Sequence, residues 1–426
     1  MSSADDHFEV VMKRTNNVMH ISDQSACTPP AVAASPHARD AMEQLLKQRE
    51  TWLAGRAKLE AWHAQTREEA LEPDLEIVDP HHHMWDYRQL MGYNLLGIFK
   101  QQYYLADELV DDIVGAGHNV TRTVYAEAHA FHGKDGPDPE TTALYAPLGE
   151  AVFAQGVAAQ FASGQYGANT RACSAIIGSA DLQAYGAGIE PLLAECVARC
   201  PNFRGVRCSA AHHPRPDVDN FTKSPGLYAD AKFREGVAVL TKLGLSLDAW
   251  CYAHQLGDVR DLALAFPDAT IVLNHAGTPA RLFGKRFEVG KFRELRDASS
   301  DERFVDVDVE AAWKASMEEI ARACPNVFVK VGGFALPAVG AGFEKRDAPP
   351  SSTEVANTFG PFYRWTVETF GADRCMLESN FPVDKVGISY GVLWNAHKRF
   401  TKDAGFSDAQ RYALFSGTAK RVYKIK

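Results

Sequence analysis

From Leu75 to the C-terminus, short runs of β-branched and apolar residues alternate with longer amphipathic stretches. The runs are "LEIVDPHHH", "VTRTVYAEA", "RACSAIIGS", "FRGVRCSA", "LSLDAWCY", "TIVLNHAG", "NVFVKVGG" and "RCMLESN". Between them lie segments with helical spacing, among them "LADELVDDIVGAG", "IEPLLAECVARC", "FREGVAVLTKLG", "DVRDLALAF" and "AAWKASMEEIARAC". Each ends near a Gly, a Cys-Pro or a Phe-Pro, where a helix stops. Strand and helix in alternation predict a parallel sheet, and eight such units predict an α/β fold of the (β/α)8 TIM-barrel type rather than a doubly wound sheet.

The pattern before Leu75 is different. Residues 1–37 are rich in Ser, Ala, Asp and Pro ("SACTPPAVAASP") without sustained periodicity, and read as a flexible arm. Residues 38–72 hold strong helix formers with Met42, Leu45, Leu46, Trp52, Leu53 and Leu59 at helical spacing. They predict a helical extension packed on the barrel, which occupies residues 73–426.

Composition narrows the function more than the fold. With 46% hydrophobic and 23% charged residues in 426, the chain can bury a large core. A net charge of -9 without a basic block argues against nucleic acid or an acidic membrane as partner and leaves small molecules. No apolar run approaches the roughly 18 residues of a membrane span, and the start "MSSADDHFEVVMKR" has no signal-type apolar stretch, so the expected location is the cytoplasm. A homo-oligomer is compatible with the sequence. The eight cysteines form no CxxC pair and read as core thiols.

In such a barrel the active site gathers where the strands end. The ends here are unusually polar: His81 and His83, Glu127, Arg207, Asn274 and His275, Lys330, then Glu378 and Asn380. Alternation along a strand puts His81 and His83 on one face and His82 on the other, and two imidazoles on one face can chelate a divalent ion. Glu127 reads equally as a general base or metal ligand and as half of a structural ion pair. Arg207 suits a carboxylate clamp, with Arg204 as a surface charge beside it. Lys330 reads as an ion pair within the barrel wall. His254 follows the fifth run and either faces the pocket or begins a helix. His129, His132, His212 and His213 read as solvated loop residues. Trp85, Trp250 and Tyr252 stand where they could wall a substrate pocket, or simply fill core.

The stretch "VDPHHHMWD" resembles the first-strand signature of the amidohydrolase superfamily, in the amidohydrolase-related branch that holds 2-pyrone-4,6-dicarboxylate lactonase and sugar lactonases. Three further segments carry the likeness in the same order: "LSLDAWCYAHQLGDVRDLALAFPDATIVLNHAGTP", "NVFVKVGGFALP" and "RCMLESNFPVDK". The resemblance implies a distorted (β/α)8 barrel and hydrolysis of a lactone, amide or related carbonyl bond by activated water. It implies that His81, His83 and His275, with His254 less securely aligned, would hold any metal, a single zinc at most. The aspartate that ends the last strand in that family is Asn380 here, which cannot act as a carboxylate base and is a poor zinc ligand. The fourth run offers Arg207 where two-metal members have a bridging lysine. The expected enzyme is therefore a metal-free or single-zinc lactonase acting on a small, carboxylated or hydroxylated cyclic ester. Glu127 is its expected base, ahead of Glu378, which would brace Lys330 or a histidine, and Asp384. Asn380 would hold the water or donate to an oxyanion, and His81, His83 and His275 would polarise the carbonyl. Arg207, His254, Trp85 and Tyr252 would contact substrate. The alternatives are a zinc-dependent non-oxidative decarboxylase and a homologue that binds a ligand with little turnover.

Overall fold

The eight predicted runs form eight parallel strands: β1 (Ile77–His82), β2 (Val120–Ala126), β3 (Arg171–Ser179), β4 (Phe203–Ser209), β5 (Ser246–Trp250), β6 (Ile271–Leu273), β7 (Val327–Val331) and β8 (Cys375–Leu377). Each pairs with its sequence neighbours in one sheet. The ends of the sheet meet through a parallel bridge between His82 and Phe381. There the Asn380 amide donates to the His81 carbonyl at 2.9 Å and the His83 amide to the Phe381 carbonyl at 2.7 Å. A principal helix follows every strand: α1 (Ala106–Gly115), α2 (Leu148–Ala162), α3 (Glu190–Arg199), α4 (Ala231–Lys242), α5 (Leu256–Ala265), α6 (Val309–Ala323), α7 (Ser352–Phe370) and α8 (Tyr390–Asp403). The fold is a (β/α)8 barrel. In this computed structural model the described residues are 13–15, 18–20, 47, 53–87, 102–215, 218–222, 224–283 and 308–426.

Period-two alternation builds two layers inside the barrel. The lower is apolar, with Val78, Val124, Ala175, Ile177, Val272 and Met376 closed from below by Ala419, Tyr423 and Ile425 of the C-terminal segment. Two residues further along their strands, Val272 gives way to Asn274, Phe328 to Lys330 and Met376 to Glu378, and a buried polar layer begins. Strand residues of the other parity, such as Ile77, Leu247, Leu273, Val329 and Leu377, pack outward against the helices. Asp230, Asp308, Ser351 and Ser389 cap α4, α6, α7 and α8 by accepting backbone N–H bonds, which fixes where each helix leaves its loop.

The chain divides into two compact units, Met1–Glu50 and Thr51–Lys426. In the first, the described residues form an antiparallel ladder of Lys13–Thr15 with Val18–His20, where the sequence predicts no strand. The rest of the expected arm, and most of the extension before residue 53, lie outside the described residues. In the second unit a helix spans 53–63. Arg56 meets Glu108 and Asp111 of α1 at 2.7 Å each. Trp62 Nε1 donates to the Arg346 carbonyl at 3.0 Å, and His63 Nε2 to the Lys385 carbonyl at 2.7 Å. These partners belong to α1 and to the segments after β7 and β8, so the helix is tied to the barrel end where the strands finish. No described helix is long and apolar enough to cross a membrane.

Candidate active site

The first strand delivers its histidines through a register shift. Ile77 faces the helices and Val78 the barrel axis, so strict alternation would turn His81 outward. Between Asp79 and His82, three steps along β1 oppose two along β2. The extra residue resets the phase, as a β-bulge does. His82 then points out, its Nε2 2.8 Å from Thr123 Oγ1, and His81 points in. Beyond the shift His81 and His83 share a face, with their Nε2 atoms 3.1 Å apart.

His275 joins them from the end of β6. Its ring centroid lies 4.7 Å from that of His81. It sits at φ 54°, in the left-handed region, and Ala276 follows at 47°. Trp313 of α6 pins this turn by donating from Nε1 to the Ala276 carbonyl at 2.7 Å. Such backbone costs about 1–3 kcal/mol per residue and persists only where the surroundings impose it.

All three Nδ1 atoms are tied to the protein. His83 Nδ1 donates to the Ala126 and Glu127 carbonyls, 3.0 Å away in each case. His81 Nδ1 lies 3.2 Å from Lys330 Nζ, and His275 Nδ1 lies 2.7 Å from Glu378 Oε1. The working nitrogens are therefore the three Nε2 atoms. Burial holds each imidazole well below its ordinary pKa, and the Lys330 and Arg207 cations add to the effect, so all three rings are neutral at pH 7.

The cations are themselves paired. Lys330, fully buried, donates to Asp248 Oδ2 at 2.6 Å, and Tyr423 OH donates to the same carboxylate at 3.0 Å. Asn274 Nδ2 donates to Asp248 Oδ2 at 3.0 Å, while Asn274 Oδ1 accepts from Arg207 Nε at 3.1 Å. Arg207 Nη1 donates to Glu127 Oε1 at 3.1 Å, and its guanidinium lies over the Trp250 ring, 4.6 Å from the centroid. Both readings of Glu127 thus have a footing: one oxygen is in an ion pair, and the other, Oε2, is buried without a hydrogen-bond partner.

The end of β8 supplies the remaining groups. Burial pushes the Glu378 carboxyl up to about 8, against the pull of Lys330. The 2.7 Å contact with His275 therefore keeps a proton within that pair at neutral pH. Asn380, at φ 54°, donates from Nδ2 to Asp384 Oδ1 at 2.8 Å and leaves its buried Oδ1 without a partner. Asp384 accepts a second bond from the Ala335 amide at 3.3 Å, and burial holds its carboxyl well above the usual range. Gly332 and Gly333, after β7, form the seat for this group. A Cβ on Gly332 would fall 2.4 Å from Glu378 Cγ, and one on Gly333 would fall 2.5 Å from His275 Nδ1.

His81, His83, His275, Glu127, Arg207 and Asn380 are thus all buried in the polar layer at the strand ends. His254 is not brought there: it is exposed on a 3-10 turn, with Nε2 3.1 Å from the His212 carbonyl and its ring against His213. That is the helix-start alternative for this residue, and it removes His254 from the imidazole group. Tyr252 is buried, its hydroxyl bonded to the Asp219 carbonyl at 2.7 Å. Trp85 is buried against Tyr87, Ala130 and Val383, with its ring 6.0 Å from that of His83. Sequence reasoning missed Asp248, the partner of Lys330, although "LSLDAW" places a lone acid in an apolar strand. It also missed Glu150 of α2, whose Oε1 accepts from Tyr125 OH and from the Ala128 and Ala130 amides and so shapes the segment after β2.

Two overlapping donor groups bear on a single divalent ion, the pair His81 and His83 and the set His81, His275 and Glu378. His83 Nε2 has a free lone pair toward His81, and 3.1 Å is close to the about 3.3 Å edge of a tetrahedron with zinc–nitrogen bonds of about 2.0–2.1 Å. His81 would have to carry its proton on Nδ1, where Glu378 Oε2 stands 3.2 Å away as acceptor. Ligand atoms of His81, His275 and Glu378 all lie within 4.8 Å of one another. With the proton on Nε2 instead, Lys330, His81 and His83 form a closed hydrogen-bond chain that is complete without an ion.

The histidines and carboxylates thus gather at the strand ends, where (β/α)8 barrel enzymes carry their active sites. The amidohydrolase family profile matches residues 78–425, and the chain belongs to that family. It is an enzyme of that type, and its named relatives are lactonases. L-fucono-1,5-lactonase of Burkholderia multivorans is 27% identical over 252 residues, covering 59% of this chain and 72% of its own. The uncharacterized protein y4mH of Sinorhizobium fredii is 28% identical over 367 residues, covering 83% of this chain and 99% of its own. Among solved structures, an amidohydrolase from Burkholderia multivorans with bound zinc superposes with a TM-score of 0.54 at 24% identity, covering 82% of this chain and 99% of that one. The likeness there is one of fold.

Proposed function

We propose that the protein opens a small lactone, carboxylated or hydroxylated, by attack of a water that Glu127 deprotonates. The observation that carries this reading is Glu127 Oε2, which accepts no hydrogen bond and has the His129 ring 3.4 Å away, on a carboxylate whose other oxygen is fixed by Arg207 and whose backbone carbonyl anchors His83. Arg207 fixes one Glu127 oxygen at 3.1 Å and has N–H groups left for a substrate carboxylate or hydroxyl. Asn380 Oδ1 accepts from the water and orients it, taking the geometric part of the missing aspartate's role but none of its basicity. With the shared proton on Glu378 and donated to His275 Nδ1, neutral His275 donates from Nε2 to the carbonyl oxygen as charge develops on it, while His81 and His83, linked Nε2 to Nε2, wall the site beside it. The acyl C–O bond to water forms, the ring C–O bond breaks, and the ring oxygen leaves with the second proton of the water, so the products are an alcohol and a carboxylate with the first proton on Glu127. A divalent ion such as zinc, if held by His81 with His275 and Glu378 or by His81 with His83, would supply Lewis-acid polarisation of the same carbonyl. The lactonase relatives support a lactone as the substrate class, and the zinc in the structural neighbour supports a metal-compatible site.

The test is a pH-indicator screen of the purified protein over 1,4- and 1,5-lactones of sugar acids and carboxylated lactones, with and without prolonged chelation. Enzymatic proton release on at least one member is expected, most of it surviving chelation because the hydrogen-bond chain closes without an ion. Absence of turnover across the panel would remove the lactone reading. Complete loss on chelation, restored by zinc alone, would make the metal obligatory.

A further inference from the structure

Opening a lactone at neutral pH consumes one water and yields a hydroxy acid that ionises, so one proton must leave the site in every turnover. Glu127, the group that would first receive it, has a side chain only 3% exposed. Its Oε1 is committed to Arg207, and its Oε2 is 3.4 Å from Nε2 of His129, whose side chain is 71% exposed. His129 is two residues further along the chain and in the left-handed region at φ 53°, a turn that folds its ring back over Glu127. Glu150 imposes that turn by accepting from the Ala128 and Ala130 amides on either side of His129, at 2.7 and 3.2 Å. Among the described residues, His132 also faces the His129 ring, with centroids 5.8 Å apart. It is itself engaged, its Nε2 3.1 Å from Ser179 Oγ and 3.4 Å from Glu150 Oε2. His129 alone therefore joins Glu127 to bulk solvent among these groups.

We infer that His129 is the proton relay of the site, taking the proton that Glu127 receives from water and passing it to solvent or buffer. The inference rests on Glu127 as the base. In balance, the water O–H bond breaks and an O–H bond forms at Glu127 Oε2. That proton then moves to His129 Nε2 and from the imidazolium to a solvent or buffer base, which restores both groups. No oxidant, reductant or further substrate is needed. An imidazole suits the step because it can take a proton at one ring nitrogen and give one up from the other.

The experiment compares wild type, His129→Ala and Glu127→Gln on a lactone that the wild type turns over, following lactone disappearance at low buffer and then with rising imidazole. For His129→Ala we expect kcat to fall about tenfold or more at low buffer, with KM unchanged, and to recover as imidazole replaces the missing ring. Unchanged kcat at low buffer would overturn the relay, and so would a loss that imidazole does not restore, since that is the signature of a structural role. Glu127→Gln separates the two readings. If it is inactive while His129→Ala is unaffected, the relay alone fails; if it turns over normally, the base assignment itself is wrong.

Discussion

The seat formed by Gly333 allows a sharp test of whether His275 works at the reacting centre. Gly333 has φ 71°, and an added Cβ would lie 2.5 Å from His275 Nδ1, 2.6 Å from its Cγ and 2.7 Å from its Cβ. An ordinary contact needs about 3.5 Å, so in Gly333→Ala the imidazole must retreat by about 1 Å. The 2.7 Å contact with Glu378 Oε1 would then exceed hydrogen-bond distance. A displacement of about 1 Å at a positioned group costs about 10²-fold in rate. The backbone adds its own penalty of about 1–2 kcal/mol, because a Cβ is unwelcome in the left-handed region. Gly244→Ala isolates that second effect: its φ is 64°, and the nearest atom to its added Cβ is Lys424 Nζ at 3.7 Å. The assay is thermal unfolding together with kcat/KM for both variants. Both should lose stability, Gly333→Ala more, but only Gly333→Ala should lose about two orders of magnitude in kcat/KM. Wild-type activity in a folded Gly333→Ala would show that the placement of His275 does not matter to the reaction.

Two further outcomes follow from the buried charges. Lys330→Met leaves Asp248 buried with only Tyr423 and Asn274 as donors and should destabilise the protein by about 3–5 kcal/mol. At about 2.1 cal/mol/K per residue this is about 4–6 °C in Tm for a unit of this length, and a loss below 1 °C would mean the pair is not buried as described. Burial lowers His82, His118 and His397 to about 4, so they stay neutral in the fold while the unfolded chain protonates them near 6.5. Their contribution is complete above about pH 6.5 and is lost as pH falls toward 4, at up to about 3 kcal/mol each. Tm should therefore drop between pH 7 and 5, and His118→Gln should flatten that slope; an unchanged slope in the variant would contradict the assignment.

The barrel was legible because period-two runs and their helical intervals are local signals, and all eight runs became strands. Much of the polar layer was legible for the same reason: a polar residue two places beyond an inward apolar one, as in Val272 and Asn274, faces the same axis. What was not legible depends on contacts remote in sequence. The register shift in β1 that turns His81 inward is set by pairing with β2, and the partnership of Asp248 with Lys330 joins strands 82 residues apart. Gly332 and Gly333 read as a strand terminus, although their missing side chains are what admit Glu378 and His275. His254 was open between pocket and helix start, and the 3-10 turn at Ala253–Gln255 decides for the latter. The ladder at Lys13–Thr15 and Val18–His20 has strands of three residues, too short to show a period.

A buried carboxylate doing chemistry beside three neutral imidazoles is the heart of the proposed mechanism. Steady-state kinetics of Glu127→Gln address this directly, since the amide keeps the shape and an oxygen for Arg207 but cannot take a proton. The variant should fold with a cooperative thermal transition, lowered because Arg207 loses its counter-charge, and lose at least about two orders of magnitude in kcat on any lactone that the wild type opens. Wild-type kcat in Glu127→Gln would contradict the account and move the search for the base to Glu378 or Asp384.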